Sequence, residues 1–186
     1  MIFRAWEKIK RENAFTLIEV LCVIGIVGIL MGLLLPTMGM VRKSSLRTQT
    51  KAQFYQYIFA LEKYFHEYGQ YPWFFYDKDE VNLTAYSADF VKALSGHGVY
   101  PEYKDMTARE RQKLNPKGIV FYHFDRTEFN DQGLIVDAFG NSDICIIADT
   151  QQLGLLKIKD KKVAAKIGIY SRNKEGEKYE DIESWR

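Results

Sequence analysis

The most prominent feature of the sequence is an apolar run over residues 15–35. In these 21 residues only Thr16, Glu19 and Cys22 depart from hydrocarbon or glycine chemistry. A helix rises about 1.5 Å per residue, so the run would reach roughly 30 Å, the thickness of a bilayer hydrocarbon core. The pattern therefore predicts a membrane-spanning helix. A buried core helix and a cleavable secretory signal are the alternatives, but the run is long for either and lacks a small-x-small cleavage site.

After Pro36 the apolar pattern changes to one position in every three or four. This spacing is typical of an amphipathic helix, and its members are Leu46, Thr50, Phe54, Ile58, Leu61, Phe65 and Tyr68. The predicted helix ends near Gly69, because glycine favours a helix C-cap and the following Pro72 cannot continue the helix. The sequence thus predicts one helix of about 50 residues, half of it apolar on all sides and half amphipathic.

The rest of the chain predicts a small sheet. Three runs at residues 119–124, 144–148 and 165–170 are rich in β-branched and aromatic residues, as strands are. A turn at residues 130–133 leads into a short predicted strand at 134–136, and short helices are predicted at 87–94 and 107–114. We therefore expect an α+β fold, in which the long N-terminal helix packs on an antiparallel sheet of three or four strands.

Composition and charge narrow the classes of function. The 26 Lys and Arg residues nearly balance 24 Asp and Glu residues, which is unlike a protein that binds nucleic acid by neutralising phosphates. Cys22 and Cys145 belong to no CxxC pair or metal-ligand spacing. No Ser-His-Asp, HExxH, phosphate-binding or dinucleotide-binding motif is present in the sequence. We expect that the protein is not an enzyme.

Glu19 lies five residues into the apolar run, where a carboxylate costs about 2.5–3.5 kcal/mol at mid-membrane and needs a partner. The sequence NAFTLIEV at residues 13–20 resembles the prepilin processing site of type IV pilins and type II secretion pseudopilins. The resemblance implies that a prepilin peptidase cuts between Ala14 and Phe15 and that the new amine of Phe15 is methylated. It also implies that Glu19 pairs with the amine of a neighbouring subunit in the filament.

Other positions in this region bear on processing and assembly. Ala14 stands where the family normally has glycine, but alanine is the smallest side chain after glycine and we expect cleavage there. Pro36 falls where the helix of these proteins usually kinks or melts. Gly25, Gly28 and Gly32 lie three and four residues apart, which favours either close contact with another helix or ordinary membrane-helix glycine.

The resemblance extends into the second half of the chain. The sequence DAFGN at residues 137–141 looks like the DPWGN element of pseudopilin heads, with two departures. Residues 169–185 are similar to the ending of the general secretion pathway protein G-like pseudopilins, where a loop often binds calcium. The resemblance implies a calcium site formed by Asn173, Glu180 and Asp181 with loop carbonyls. A solvated turn is the alternative, because two lysines put positive charge into this loop.

Together these features predict three regions. Residues 1–14 would be a basic leader peptide, residues 15–41 a transmembrane and assembly helix, and residues 42–186 a periplasmic pilin-like head that includes the second half of the long helix. The predicted shape is that of a ladle.

The resemblance implies a structural subunit of a type II secretion pseudopilus or type IV pilus-like filament, anchored by a single pass in the bacterial inner membrane. The implied partners are copies of the same chain or other pseudopilins, prepilin peptidase, an inner-membrane assembly platform and membrane lipid. Nucleic acid is expected only if the chain is a DNA-uptake pilin. The alternative is a membrane-tethered periplasmic domain that binds a ligand or catalyses a reaction and uses the pilin-like helix only as an anchor.

Overall fold

The computed structural model describes residues 16–98, 105–158, 161–172 and 182–184. The chain divides into two units, Met1–Lys43 and Ser44–Arg186. The predicted processing residues Ala14 and Phe15 lie outside the described residues, as do the predicted calcium ligands Asn173, Glu180 and Asp181.

The predicted long helix is confirmed. Helix α1 spans Leu17–Tyr68 and continues through Pro36, so the helix does not melt there although proline has no N–H to donate. It ends where the sequence predicts. Gly69 adopts a left-handed conformation with φ +69° and donates its N–H to the Phe65 carbonyl at 2.8 Å, which closes the last turn.

In the second unit, one face of α1 forms the centre of the core. Phe54, Tyr57, Leu61 and Tyr64 are buried, and their spacing of three and four residues places them on a single helix face. This face contacts isoleucines of the sheet and aromatic residues of the segments after α1. The residues that share this cluster include Phe74, Phe90, Ile144, Ile146, Ile167 and Ile169.

The sheet has four antiparallel strands, as expected. Their spatial order is β1 (Val81–Asn82), β2 (Ile144–Ala148), β5 (Ile167–Ser171) and β6 (Ile182–Glu183). Strands β2 and β5 form the central pair, running from Ile144 opposite Ser171 to Ala148 opposite Ile167. A separate antiparallel pair consists of β3 (Leu156–Ile158) and β4 (Lys161–Val163). The α+β fold class is therefore confirmed.

The predicted strand at residues 119–124 is wrong. Among the described residues this segment has no strand partner, because its backbone bonds go elsewhere: the N–H groups of Phe121 and Tyr122 both donate to the Leu94 carbonyl. Its aromatic side chains pack against α1, with the Tyr64 and Phe121 ring centroids 5.3 Å apart. The strand-like composition of the segment thus reflects buried aromatic packing and not a sheet ladder.

The strand predicted at residues 134–136 and the helix predicted at residues 87–94 differ from the structure in their extent. The predicted strand at residues 134–136 is reduced to one isolated bridge between Phe129 and Ile135. Helix α2, Leu83–Ser95, begins four residues before its predicted start, because the Asn82 side chain caps it by accepting the Thr84 N–H at 2.8 Å. It ends at Ser95, one residue beyond its predicted end, and Gly96 caps it in a left-handed conformation.

Helix α3, Ala108–Leu114, lies where a short charged helix is predicted and is fixed by a capping box. Thr107 and Glu110 exchange hydrogen bonds across the first turn, and the Glu110 carboxylate also accepts a bond from the Lys92 ammonium of α2 at 2.6 Å. The hydrogen bond from Lys92, followed by those from Thr107, lowers the pKa of Glu110 to about 2.

We expect the folded second unit to lose stability as the pH falls from about 4.5 to about 2, because protonation of Glu110 weakens its bonds to Lys92 and Thr107. The folded pKa lies below the unfolded one, so the contribution is complete above about pH 4.5 and is lost as the pH falls through about 2. Glu110→Gln keeps an acceptor for the capping box but cannot ionise. It should lose less of its thermal midpoint over this range than the wild-type protein, as followed by circular dichroism.

Asp131→Asn is the matched control, because it removes one carboxylate from an exposed position outside this network. It should keep the acid sensitivity of the wild type. An equal loss of thermal midpoint in wild type and Glu110→Gln would contradict the assignment.

Candidate assembly site on helix α1

Residues 17–32 of the first unit present a long and largely apolar helix surface. Every side chain of residues 16–32 and 39–43 is exposed in the single chain. Leu17, Ile18 and Ile29 are 85, 63 and 68% exposed. Monomeric proteins rarely leave a patch of this kind in water. The surface therefore requires a covering partner, which can be lipid or other helices.

Glu19 closes a capping box at the start of α1. The Thr16 N–H and the Thr16 hydroxyl both donate to Glu19 Oε2 at 2.9 Å, and the Glu19 N–H donates to Thr16 Oγ1 at 3.4 Å. Thr16 directly precedes the first helical residue, which makes it the N-cap. A carboxylate in the first turn also interacts favourably with the helix dipole.

The capping box gives Glu19 a second role beside the predicted intersubunit pairing. A carboxylate has about four acceptor sites and the capping bonds use two of them, so Glu19 keeps the capacity to accept from a neighbouring ammonium group. Thr16 was not recognised as a partner in the sequence prediction. Its signal is the Thr-x-x-Glu spacing immediately before an apolar run, which is a capping-box pattern.

The three predicted assembly glycines lie on a different face of α1 from Glu19. At about 100° per residue, Gly25, Gly28 and Gly32 fall within a stripe about 60° wide, and Glu19 lies roughly 150° around the helix. A Cβ added at any of the three glycines would meet nothing within 4 Å. The predicted assembly residues thus form two faces and not one patch, so they would meet two different neighbours.

The DAFGN element forms a tight polar turn in the second unit. Asp137 Oδ1 accepts the N–H groups of Phe139 and Asn141 at 2.9 Å, and Asp137 Oδ2 accepts the Ser171 hydroxyl at 2.7 Å. The Ala138 N–H donates to the buried Thr50 hydroxyl of α1 at 3.2 Å. The turn therefore joins α1 to the end of β5: the Ala138 N–H bonds to α1, and the Asp137 carboxylate bonds to β5.

Two predicted features have no support among the described residues. No group of three or more His, Cys, Asp or Glu residues is placed to hold a metal ion in those parts of the chain. The predicted calcium loop lies outside them, so calcium binding stays a prediction. Within residues 16–98, 105–158, 161–172 and 182–184, no helix combines the length and the apolar character needed to cross a membrane.

The comparisons with known proteins bear on the first half of α1. Residues 9–35 match the family model of the prokaryotic N-terminal methylation motif. No curated protein and no solved structure matches the chain significantly. The matched residues include Ala14, Phe15, Glu19 and the three glycines, which are the predicted processing and assembly positions. The chain carries the prokaryotic N-terminal methylation motif, the signature of type IV pilin-like and pseudopilin proteins.

Proposed function

We propose that the protein is a structural subunit of a type II secretion pseudopilus or of a type IV pilus-like filament. The observation that carries this proposal is the exposed, largely apolar surface of α1 over residues 17–32, which has Glu19 in its first turn and lies inside the methylation motif. The motif implies processing by prepilin peptidase and pilus-type assembly. A filament subunit needs both a removable leader and a helix that can exchange lipid for neighbouring helices.

In this proposal the subunit is held in the bacterial inner membrane by α1, with its head in the periplasm. Prepilin peptidase cuts between Ala14 and Phe15, and the amine of Phe15 is methylated. An assembly platform then moves the subunit into the filament. Lipid tails are about as apolar as leucine, so exchanging lipid for helices yields little hydrophobic free energy. Specific contacts must therefore direct assembly.

Glu19 is the residue best suited to supply such a contact. A carboxylate in apolar surroundings is costly unless it is paired and hydrogen-bonded. The two bonds from Thr16 meet part of this need within the subunit. The ammonium group at Phe15 of a neighbour would supply the missing opposite charge, so pairing favours the assembled state over the isolated subunit.

The first expected outcome concerns processing. In cells with an active prepilin peptidase, intact mass and N-terminal sequencing should show a chain that starts at Phe15 with one methyl group on its amine. Ala14→Gly restores the usual family residue and should be cleaved at least as fast, whereas Ala14→Leu should block cleavage because the larger side chain would not fit a pocket for glycine. Recovery of only the full-length wild-type chain would count against processing.

The second expected outcome separates the two roles of Glu19. Glu19→Gln keeps a side-chain oxygen that can accept the Thr16 N–H, since glutamine also forms capping boxes, but it removes the charge. If the carboxylate pairs with a neighbouring amine, Glu19→Gln should be processed and stable in the membrane yet give little sheared or cross-linked filament. Removing one member of a buried ion pair costs about 3–5 kcal/mol.

Thr16→Ala is the matched control, because it removes the hydroxyl of the capping box and leaves the Glu19 charge in place. It should assemble far better than Glu19→Gln. Normal filament yield from Glu19→Gln would show that Glu19 serves the helix start alone and would refute the intersubunit pairing.

A third expected outcome concerns Gly28. Gly28→Leu should leave subunit level and processing unchanged, because nothing in the subunit lies within 4 Å of the added Cβ. If the glycine face is a close helix contact, the larger side chain should reduce filament yield, measured by shearing and immunoblotting. Val27→Leu, at an exposed neighbouring position, is the control for side-chain size. Equal yields from the two variants would leave Gly28 an ordinary membrane-helix glycine.

A further inference from the structure

The exposed apolar side chains of the second unit fall into two groups. Among its described residues, six large apolar side chains are exposed, and five of these fall into two groups; Val120 belongs to neither group. The first group, which we call the aromatic ridge, consists of Tyr55 and Phe59. The second surrounds a cleft and includes Tyr76, Leu153 and Leu155.

The aromatic ridge lies on the side of α1 that does not face the core. Tyr55 and Phe59 are four residues apart, so they are neighbours on one helix face, and they are 54 and 61% exposed. The Lys63 ammonium lies 5.0 Å from the centroid of the Phe59 ring, which adds a positive charge to the ridge. Glu62 is the adjacent acidic residue on the helix. The ridge is therefore convex, aromatic and marked by a cation.

The cleft lies between residues 75–79 and the loop that joins β2 to β3. Its volume is about 660 Å³, within the roughly 300–1,000 Å³ of clefts that bury a ligand-sized group. Leu153 and Leu155 present apolar surface on the loop side, and Asp77 and Asp79 are exposed on the other side. The cleft therefore combines exposed leucines with polar and charged side chains, carboxylates among them.

The loop on one side of the cleft is held in place by Asp149. Its Oδ2 accepts the Gly154 N–H at 2.6 Å, and its own N–H donates to the Lys166 carbonyl at 2.7 Å. Gln152 adopts a left-handed conformation with φ +57°, which non-glycine residues seldom do. The leucines are thus presented by a loop whose conformation is fixed by several bonds.

Both surfaces expose large apolar side chains, and their charges are complementary. Lys63 on the ridge matches the carboxylates of Asp77 and Asp79. Two lysines, Lys78 and Lys157, also line the cleft, but three aspartates outnumber them. Building on the filament function proposed above, we propose that the aromatic ridge of one subunit docks into the cleft of a second copy of this chain.

A contact between two different surfaces of the same chain has a specific consequence for assembly. Where one ridge–cleft contact forms between each pair of subunits, the contact does not close into a dimer, because each subunit keeps one unused ridge or cleft. Repetition of such a contact produces a ring or an open helical array, and a filament is an open helical array.

Cysteine cross-linking of the full chain tests the contact. In a Cys22→Ser background, Phe59→Cys combined with Leu153→Cys should give a ladder of covalent oligomers after mild oxidation in cells that assemble the filament. Each single variant should give none. Phe59→Cys combined with Val120→Cys is the matched control, since Val120 is exposed but belongs to neither surface. Dimers from Phe59→Cys alone, or an equal ladder from the control pair, would overturn the proposal.

A charge exchange provides a second, independent readout. Lys63→Glu should lower the yield of the ladder at least fivefold by placing a carboxylate against Asp77 and Asp79. Adding Asp77→Lys and Asp79→Lys should restore it, and failure of this rescue would contradict the pairing. Filaments that form normally without the Phe59–Leu153 ladder would overturn this contact and leave the proposed function intact. A ladder without any filament would support the contact and refute the proposed function.

Discussion

The packing of one face of α1 against the sheet is the interaction on which the rest of the second unit depends. This face carries several tyrosines, which bury an aromatic ring and still present a hydroxyl to a loop. The Tyr64 hydroxyl donates to the Leu114 carbonyl at 2.6 Å, and the Tyr68 hydroxyl donates to Asn115 Oδ1 at 2.6 Å. Burial raises the pKa of Tyr64 well above its usual value, so it remains a neutral donor. Through these bonds α1 positions the segment that follows α3.

The same helix has a different character in the first unit, where its exposed side chains are almost all apolar. Packing inside the subunit cannot account for that composition. The residues most informative about an external partner are the polar and the small ones. Glu19 carries a negative charge that needs a positive group on a neighbour, and the glycines allow a second helix to approach closely. Their placement on separate faces agrees with a helix that has several neighbours at once.

The parts of the fold that the sequence predicted correctly are those with a long or strongly periodic signal. Helix α1 and its end at Gly69 follow from spacing and glycine chemistry, and β2 follows from a run of β-branched residues. Strands β1, β3, β4 and β6 have two or three residues each, too few for a period to be visible. Residues 119–124 misled the prediction because buried aromatic side chains look alike whether or not their backbone joins a sheet.

The candidate site was predictable to a similar degree. Glu19 could be recognised because a carboxylate is unusual in an apolar run. Glu19 and the processing positions also lie within the residues that the family model matches. The cleft of the proposed contact could not be predicted from the sequence. Residues 75–79 and 149–155 line one cleft only because β1 pairs with β2, and no local pattern encodes that proximity.

The turn around Asp137 has a mechanical consequence. Its carboxylate holds Ser171 on the central strand pair, and the adjacent Ala138 N–H is bonded to Thr50 on α1. A force applied along α1 is therefore transmitted to the sheet through these hydrogen bonds as well as through apolar side-chain contacts. Apolar contacts have no preferred direction and slide more easily under shear. The subunit would resist extraction of its helix at the place where this turn crosses it. The strength of the proposed filament would then depend on a turn that the Asp137 carboxylate holds together inside each subunit.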